Sequence, residues 1–219
     1  MRRHYVSRQV DVYNKLKTAI IYGELSPGEK LSEIELSKKL KSSRTPIREA
    51  FRQLQMEGYI TMPPNKGASV AKIPVEQLDE IYDVICVLES HAAELSALKI
   101  GERELTELQA IQRRLIAYVE QKDYRKYIVE NTEFHHLISR LSHNATLIKI
   151  NRDLRLQIYR YRLISVTIPG YLESYVADHE RIIQAMAAKD PALAGSSIRD
   201  HVQRVKQVLV SFLKANPGL

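Results

Sequence analysis

The sequence predicts a mainly α protein. An N-terminal winged helix-turn-helix covers residues 1–73, and an all-α antiparallel bundle of about six helices covers residues 74–219. Three observations predict this. Helical periodicity dominates the chain, and strand-like segments are confined to two short stretches around a PPNKG tip. The positive excess lies in the first part alone: 14 Lys+Arg face 7 Asp+Glu before Pro74, against 19 and 19 from Pro74 onward. Beyond Pro74 the helical segments are separated by short breakers, which suits antiparallel neighbours.

The first helix runs from about Val10 to Tyr22, with Val10, Tyr13, Leu16, Ile20 and Ile21 at helical spacing and Gly23 as a stop. ELSPGEKL reads as a loop around Pro27-Gly28. Ser32 and Glu35 fit a capping box, opening a second helix that ends near Leu40. Ser43 is the expected N-cap of the third helix, and Pro46 sits in its first turn, where proline is tolerated. That helix ends at Glu57-Gly58. YITM and ASVAKI then form a hairpin across PPNKG.

In the second part, helices are expected over about 75–99, 102–122, 123–142, 144–167, 171–188 and 191–215. Asp123 and Asn144 are N-caps, and Gly101 and Pro169-Gly170 are breakers.

With 219 residues, 44% hydrophobic and 27% charged, the chain can bury a core in each part. A single cysteine, Cys86, excludes an internal disulfide framework and reads as a small buried side chain. The start MRRHYVSRQVDVYNKL lacks the apolar core of a secretory signal, and no apolar run approaches the length of about 18–20 residues that spans a membrane. The expectation is a cytoplasmic protein without a membrane partner.

A basic head beside a neutral body points to a polyanion partner, since clustered Lys and Arg displace counterions from phosphates. On the third helix, Ile47, Ala50, Phe51 and Leu54 form the apolar face, while Arg44, Arg48, Arg52 and Gln55 form a separate stripe. Arginine can fork onto guanine O6 and N7, and glutamine can pair with adenine. A solvated face with a Glu49–Arg52 pair is the alternative for such a stripe. The charge split and the hairpin favour double-stranded DNA. Thr45 and Lys66 join the candidate contacts on their chemistry.

ELSKKL, SSRTPIREA, LQMEGYI and PPNKGASV, in this order, resemble the DNA-binding domain of the GntR superfamily. The resemblance implies operator contacts for Arg44 and Arg48 and a minor-groove position for Gly67 at the wing tip. Ile34 stands where relatives often carry a DNA-contacting arginine, so an operator sequence does not transfer.

Asn131 and His135 lie at i and i+4 in NTEFHH, a spacing that brings two side chains to one helix face. Spacing does not join them to His179 or His201. The second part does so by resemblance: LE at 88–89, NTEFH, NATL, DHERIIQA and a final helix with His201 are similar to the FCD domain of the FadR-like branch. That resemblance implies a divalent metal held by Asn131, His135, His179 and His201. Three imidazoles suit zinc or nickel. A count of six helices rather than seven points to the VanR-like subgroup.

Two departures follow. The family usually has aspartate where Asn131 stands, so metal binding is expected to be weaker and the site one unit more positive, favouring a carboxylate effector. Ile85 stands where an arginine often faces the pocket, so Arg160 or Arg162 is expected to supply the cation, with His91 a further candidate. His136, His143 and His4 read as surface, loop and tail residues.

The implied function is transcription regulation by a homodimeric repressor whose operator affinity answers to an organic acid, with or without metal. The alternatives are a regulator for which the ion is itself the signal, and a metal-dependent hydrolase with Glu133 or Glu180 as base.

Overall fold

The computed structural model describes residues 8–217, so His4 lies outside the described residues. The chain divides into two compact units between Ile73 and Pro74.

The first unit contains α1 (Arg8–Ile21), β1 (Lys30–Leu31), α2 (Glu33–Lys39), α3 (Arg44–Met56), β2 (Ile60–Thr61) and β3 (Ala68–Val70). Val12, Leu16 and Ile20 of α1 and Ile47, Ala50, Phe51 and Leu54 of α3 are all buried, and the two helices pack together. Burying each large side chain stabilises the unit by about 1.5–3 kcal/mol. Ser32 caps α2, its Oγ accepting from Glu35 N at 3.3 Å. The other end of α2 is closed by Arg8, whose guanidinium donates to Leu40 O at 2.6 Å and to Lys41 O. Gly58 ends α3 with φ +76, and Tyr59 N returns to Leu54 O at 2.9 Å, a Schellman closure that favours glycine.

Two local expectations change. Ser43 holds the N-cap position of α3, but among the described residues its side chain makes no capping bond. Lys30–Leu31, expected as loop, is a strand, and the sheet is three-stranded and antiparallel in the order β1-β3-β2. Lys30 pairs with Ser69 and Ile60 with Val70. A two-residue strand is too short to show alternation, and its partner decides its conformation.

The second unit contains α4 (Val75–Ala97), α5 (Glu102–Glu120), α6 (Tyr124–Leu141), α7 (Ala145–Gln157), α8 (Tyr159–Ser165), α9 (Leu172–Ala187) and α10 (Pro191–Ala215). Asp123, Asn144 and Asp190 cap α6, α7 and α10 through bonds to the amides of Lys126, Leu147 and Leu193. The long helices α4 and α10 pack against each other, and α9 and α6 flank them.

The helix expected over 144–167 is two helices, α7 and α8, broken at Ile158 (φ −96°, ψ 6°). Tyr161 N and Arg162 N both bond to Ile158 O, at 2.9 and 3.2 Å, a tightened turn in place of the regular ladder. The second unit therefore has seven helices among the described residues, and helix count no longer supports the VanR-like subgroup. No described helix is long and apolar enough to cross a membrane.

Candidate nucleic-acid interface and ligand site

On the first unit, the buried stripe of α3 turns its other face to solvent. Arg44, Thr45, Arg48, Arg52 and Gln55 are all exposed. Arg44 is in the first turn, where free backbone amides also face outward and favour phosphate. Arg48 donates through Nε to Glu33 of α2, and Arg52 donates to Glu49 at 2.8 Å. Lys66 and Gly67 are exposed at the tip between β2 and β3. Gly67 has φ +74, and no atom of the described residues lies within 4 Å of where a Cβ would stand. The tip can thus approach another surface closely.

In the second unit, α6, α9 and α10 bring three histidines together. His135, His179 and His201 are buried, and one ligand nitrogen from each lies within 4.8 Å of the others. Their ring centroids are 4.7–5.4 Å apart. Phe134 stacks on His179 at 4.2 Å and helps fix its plane. Burial pushes His135 down to about 3, with the nearby Arg155 adding to it. Burial, with the neighbouring imidazoles, lowers His179 well below its ordinary value, and burial lowers His201. All three are neutral at pH 7, the form that ligates metal.

Two carboxylates stand behind the cluster. His135 Nδ1 lies 3.0 Å from Glu89 Oε2, off the line of an ideal bond, and His201 Nδ1 lies 3.4 Å from Asp178 Oδ2. Carboxylates on Nδ1 select the tautomer whose Nε2 lone pair is free, as behind many histidine metal ligands. Burial alone would raise the Glu89 carboxyl. The Arg155 guanidinium and His135 overcome that and hold it well below the usual carboxylate range. Neutral, buried, carboxylate-backed imidazoles fit a divalent ion.

Beside the cluster is a cavity of about 30 Å³. That is room for a water or two. Tyr82, Asn131, Arg155, Arg162 and Tyr175 line it together with His135 and His201. Arg162 donates to Asn131 Oδ1 at 2.7 Å and to Thr132 Oγ1 at 3.1 Å. It pairs with no carboxylate among the described residues. Burial and repulsion from Arg155 push its guanidinium down to about 10, still charged at pH 7. The hydroxyls of Tyr82 and Tyr175 are buried without a hydrogen-bond partner among the described residues.

The structure thus separates the candidates. Asn131, His135, His179 and His201 come together, and Arg162 joins them at the cavity. Arg160 does not line the cavity: its guanidinium lies 4.9 Å over the Tyr161 ring. His91 is exposed on α4 and pairs with Glu94 at 3.1 Å. Glu133 pairs with Arg140 at 3.0 Å, Glu180 is exposed, and neither lines the cavity. Residues the sequence reading missed are Arg155, Asp178, Tyr82 and Tyr175, and the role of Glu89. Arg155 was findable, being seven positions before Arg162 and so near the same helical face. Asp178 next to His179 gave no such signal, because it serves His201 on another helix.

Comparison with known proteins gives the family. Residues 8–70 match the family described as bacterial regulatory proteins, gntR family, and residues 80–204 match the FCD domain. The chain is 30% identical to the HTH-type transcriptional regulator YdhC of Bacillus subtilis (strain 168), over 86% of this chain and 85% of that one. It is 28% identical to a probable D-xylose utilization operon transcriptional repressor of Paenarthrobacter nicotinovorans, over 84% and 80%. The solved structure of E. coli McbR/YncC superimposes with a TM-score of 0.79 at 26% identity, covering 96% of this chain and all of that one. A winged head with an exposed arginine stripe, a helical body around buried histidines and these matches together place the chain: it belongs to the GntR family of transcription regulators and carries an FCD domain.

Proposed function

We propose that this regulator is a repressor whose operator affinity is set by a small carboxylate and a divalent metal bound in the helical unit. The observation that carries this is Arg162: a buried, charged guanidinium whose only hydrogen-bond partners among the described residues are an amide and a hydroxyl, beside three neutral imidazoles. A buried charge is costly unless paired. A carboxylate would neutralise it, and the hydroxyls of Tyr82 and Tyr175 would donate to its oxygens. His135, His179 and His201 would hold zinc or nickel, and the ion would supply a Lewis-acidic centre for an anionic ligand. The relative named as a probable D-xylose utilization operon transcriptional repressor supports repression as the mode of action.

At the DNA, a homodimer would place two copies of α3 in successive major grooves about one turn apart. Arg44 and Arg48 would read base edges, with Thr45, Arg52, Lys66 and Gly67 positioning the head. The effector can shift operator binding only by its differential affinity for the two states of the protein. A second reading, in which the ion is itself the signal, rests on the three clustered imidazoles alone. Gel shifts with the chain's own upstream DNA separate the two. Under the carboxylate reading, chelator alone leaves the shift intact and carboxylate weakens it. If chelator alone abolishes or creates the shift, the ion is the signal.

A further inference from the structure

We propose that Asn131 is a rotating gate that couples an anion site at Arg162 to a metal site at His135, His179 and His201, so that each ligand tightens binding of the other. The inference rests on the reading above, in which the cavity region takes both a carboxylate and an ion.

The orientation of the Asn131 amide follows from hydrogen-bond chemistry. A guanidinium only donates, so the Asn131 atom 2.7 Å from Arg162 Nη2 is its oxygen. The amide nitrogen therefore faces His179 Nε2, at 3.3 Å. That nitrogen also only donates, so Nε2 of the neutral His179 carries the lone pair and Nδ1 the proton. His179 Nδ1 is buried without a hydrogen-bond partner among the described residues, so no other contact holds the ring in this tautomer.

One side-chain orientation thus closes both sites. The lone pair of His179 that an ion requires is covered by the Asn131 amide N–H. The Asn131 oxygen that would join the ligand set is held by Arg162. The cavity of about 30 Å³ has no room for a carboxylate until a lining side chain moves.

A carboxylate on Arg162 replaces a neutral acceptor with a charged one, roughly doubling the strength of the bond. Asn131 Oδ1 is released, and the amide can turn its oxygen toward the imidazoles and its nitrogen away from Nε2. In the other direction, occupancy of Nε2 by an ion expels the amide nitrogen, which has no lone pair to offer. Arg162 then keeps only the Thr132 hydroxyl of its two partners and gains affinity for an anion. Linkage requires the same factor in both directions. An aspartate here could serve Arg162 and the ion with separate oxygens and would need no rotation. The amide is what makes the two sites interdependent.

The test is calorimetric titration of the full chain with nickel, with acetate present or with chloride at equal ionic strength. Acetate should lower the nickel Kd on the order of tenfold. Asn131→Asp should bind nickel more tightly in chloride and show no acetate effect. The ¹⁵N shifts of His179 in metal-free protein should report a protonated Nδ1. Nickel binding that is equal with and without acetate overturns the coupling and leaves the metal reading standing. An acetate effect that persists in Asn131→Asp also overturns it. Absence of nickel binding under both conditions removes the metal reading and the gate with it.

Discussion

Arg48 of α3 donates through Nε to both carboxylate oxygens of Glu33 on α2, at 3.0 and 2.8 Å. This ties the stripe to the preceding helix and places a carboxylate on the face proposed for DNA. The pair is exposed, so it contributes at most about 1 kcal/mol to stability. Glu33→Gln should leave unfolding nearly unchanged and tighten DNA binding up to about fivefold, by removing a competitor for Arg48. Arg44→Ala and Arg48→Ala should each cost about 1–3 kcal/mol per half-site. Fluorescence anisotropy on operator DNA measures all three. Weaker binding by Glu33→Gln would show that Glu33 orients Arg48 rather than competing for it.

The wing offers two separable substitutions. Lys66→Ala removes one exposed cation at the tip and should reduce the slope of log K against log salt by about 1. Gly67→Ala meets open space but a φ of +74, so its cost is backbone strain of about 1–2 kcal/mol. Its DNA affinity should fall by more than its unfolding midpoint accounts for, because the added methyl also blocks close approach. Equal salt slopes for Lys66→Ala and the parent chain would place the tip away from phosphates.

Stability without metal should depend on pH in a known direction. Burial, joined by Arg155, holds His135 at about 3, and burial also lowers His179 and His201. Histidines in an unfolded chain titrate near about 6.5. Below that pH the unfolded chain takes up protons that the folded unit refuses, so stability is complete above about 6.5 and is lost as pH falls toward the folded values. Glu89 and Asp178 are both held below their ordinary values by the cations and histidines beside them, so the stretch from about pH 6.5 to 5 reports on the histidines. Urea melts in chelator should lose up to about 1.4 kcal/mol per pH unit for each histidine. His201→Gln should make the slope shallower. A flat profile contradicts neutral burial of these rings.

Metal should stabilise the helical unit by mass action. At about 100 times the Kd, zinc or nickel adds about 2.7 kcal/mol to unfolding and raises Tm. His179→Ala should abolish the rise. Glu89→Gln should weaken it by about 10–100-fold in metal affinity, since Glu89 backs His135 and is not one of the clustered ligands. A Tm that ignores both ions would remove the metal from this site.

The helices of the head were legible because each is punctuated: Ser32 before α2, Pro46 inside α3, Gly58 behind it. Those of the body were less sharply bounded. Lys122 and Lys189 take positive φ just past α5 and α9, places where glycine usually signals the stop. Ile158 breaks α7 from α8 without glycine or proline, so periodicity ran straight through it. In the site, His135 and Asn131 were visible as neighbours on one helix. Their approach to His179 and His201 depends on how α6, α9 and α10 pack, which no local pattern encodes. The same holds for Glu89, which reaches Arg155 and Asn151 from α4. Arg160 and Arg162 are two positions apart and face nearly opposite ways on a helix. Only the packing of α8 shows which of them is inside.

The central claim is that occupancy of the histidine–arginine cavity controls DNA binding by the head. The direct measurement is anisotropy of the full chain on its own upstream duplex, titrated with carboxylate at saturating metal, beside calorimetry that reports cavity occupancy. The account predicts salt-sensitive binding that weakens by about 5–150-fold as the cavity fills. Full occupancy with unchanged DNA affinity would contradict it.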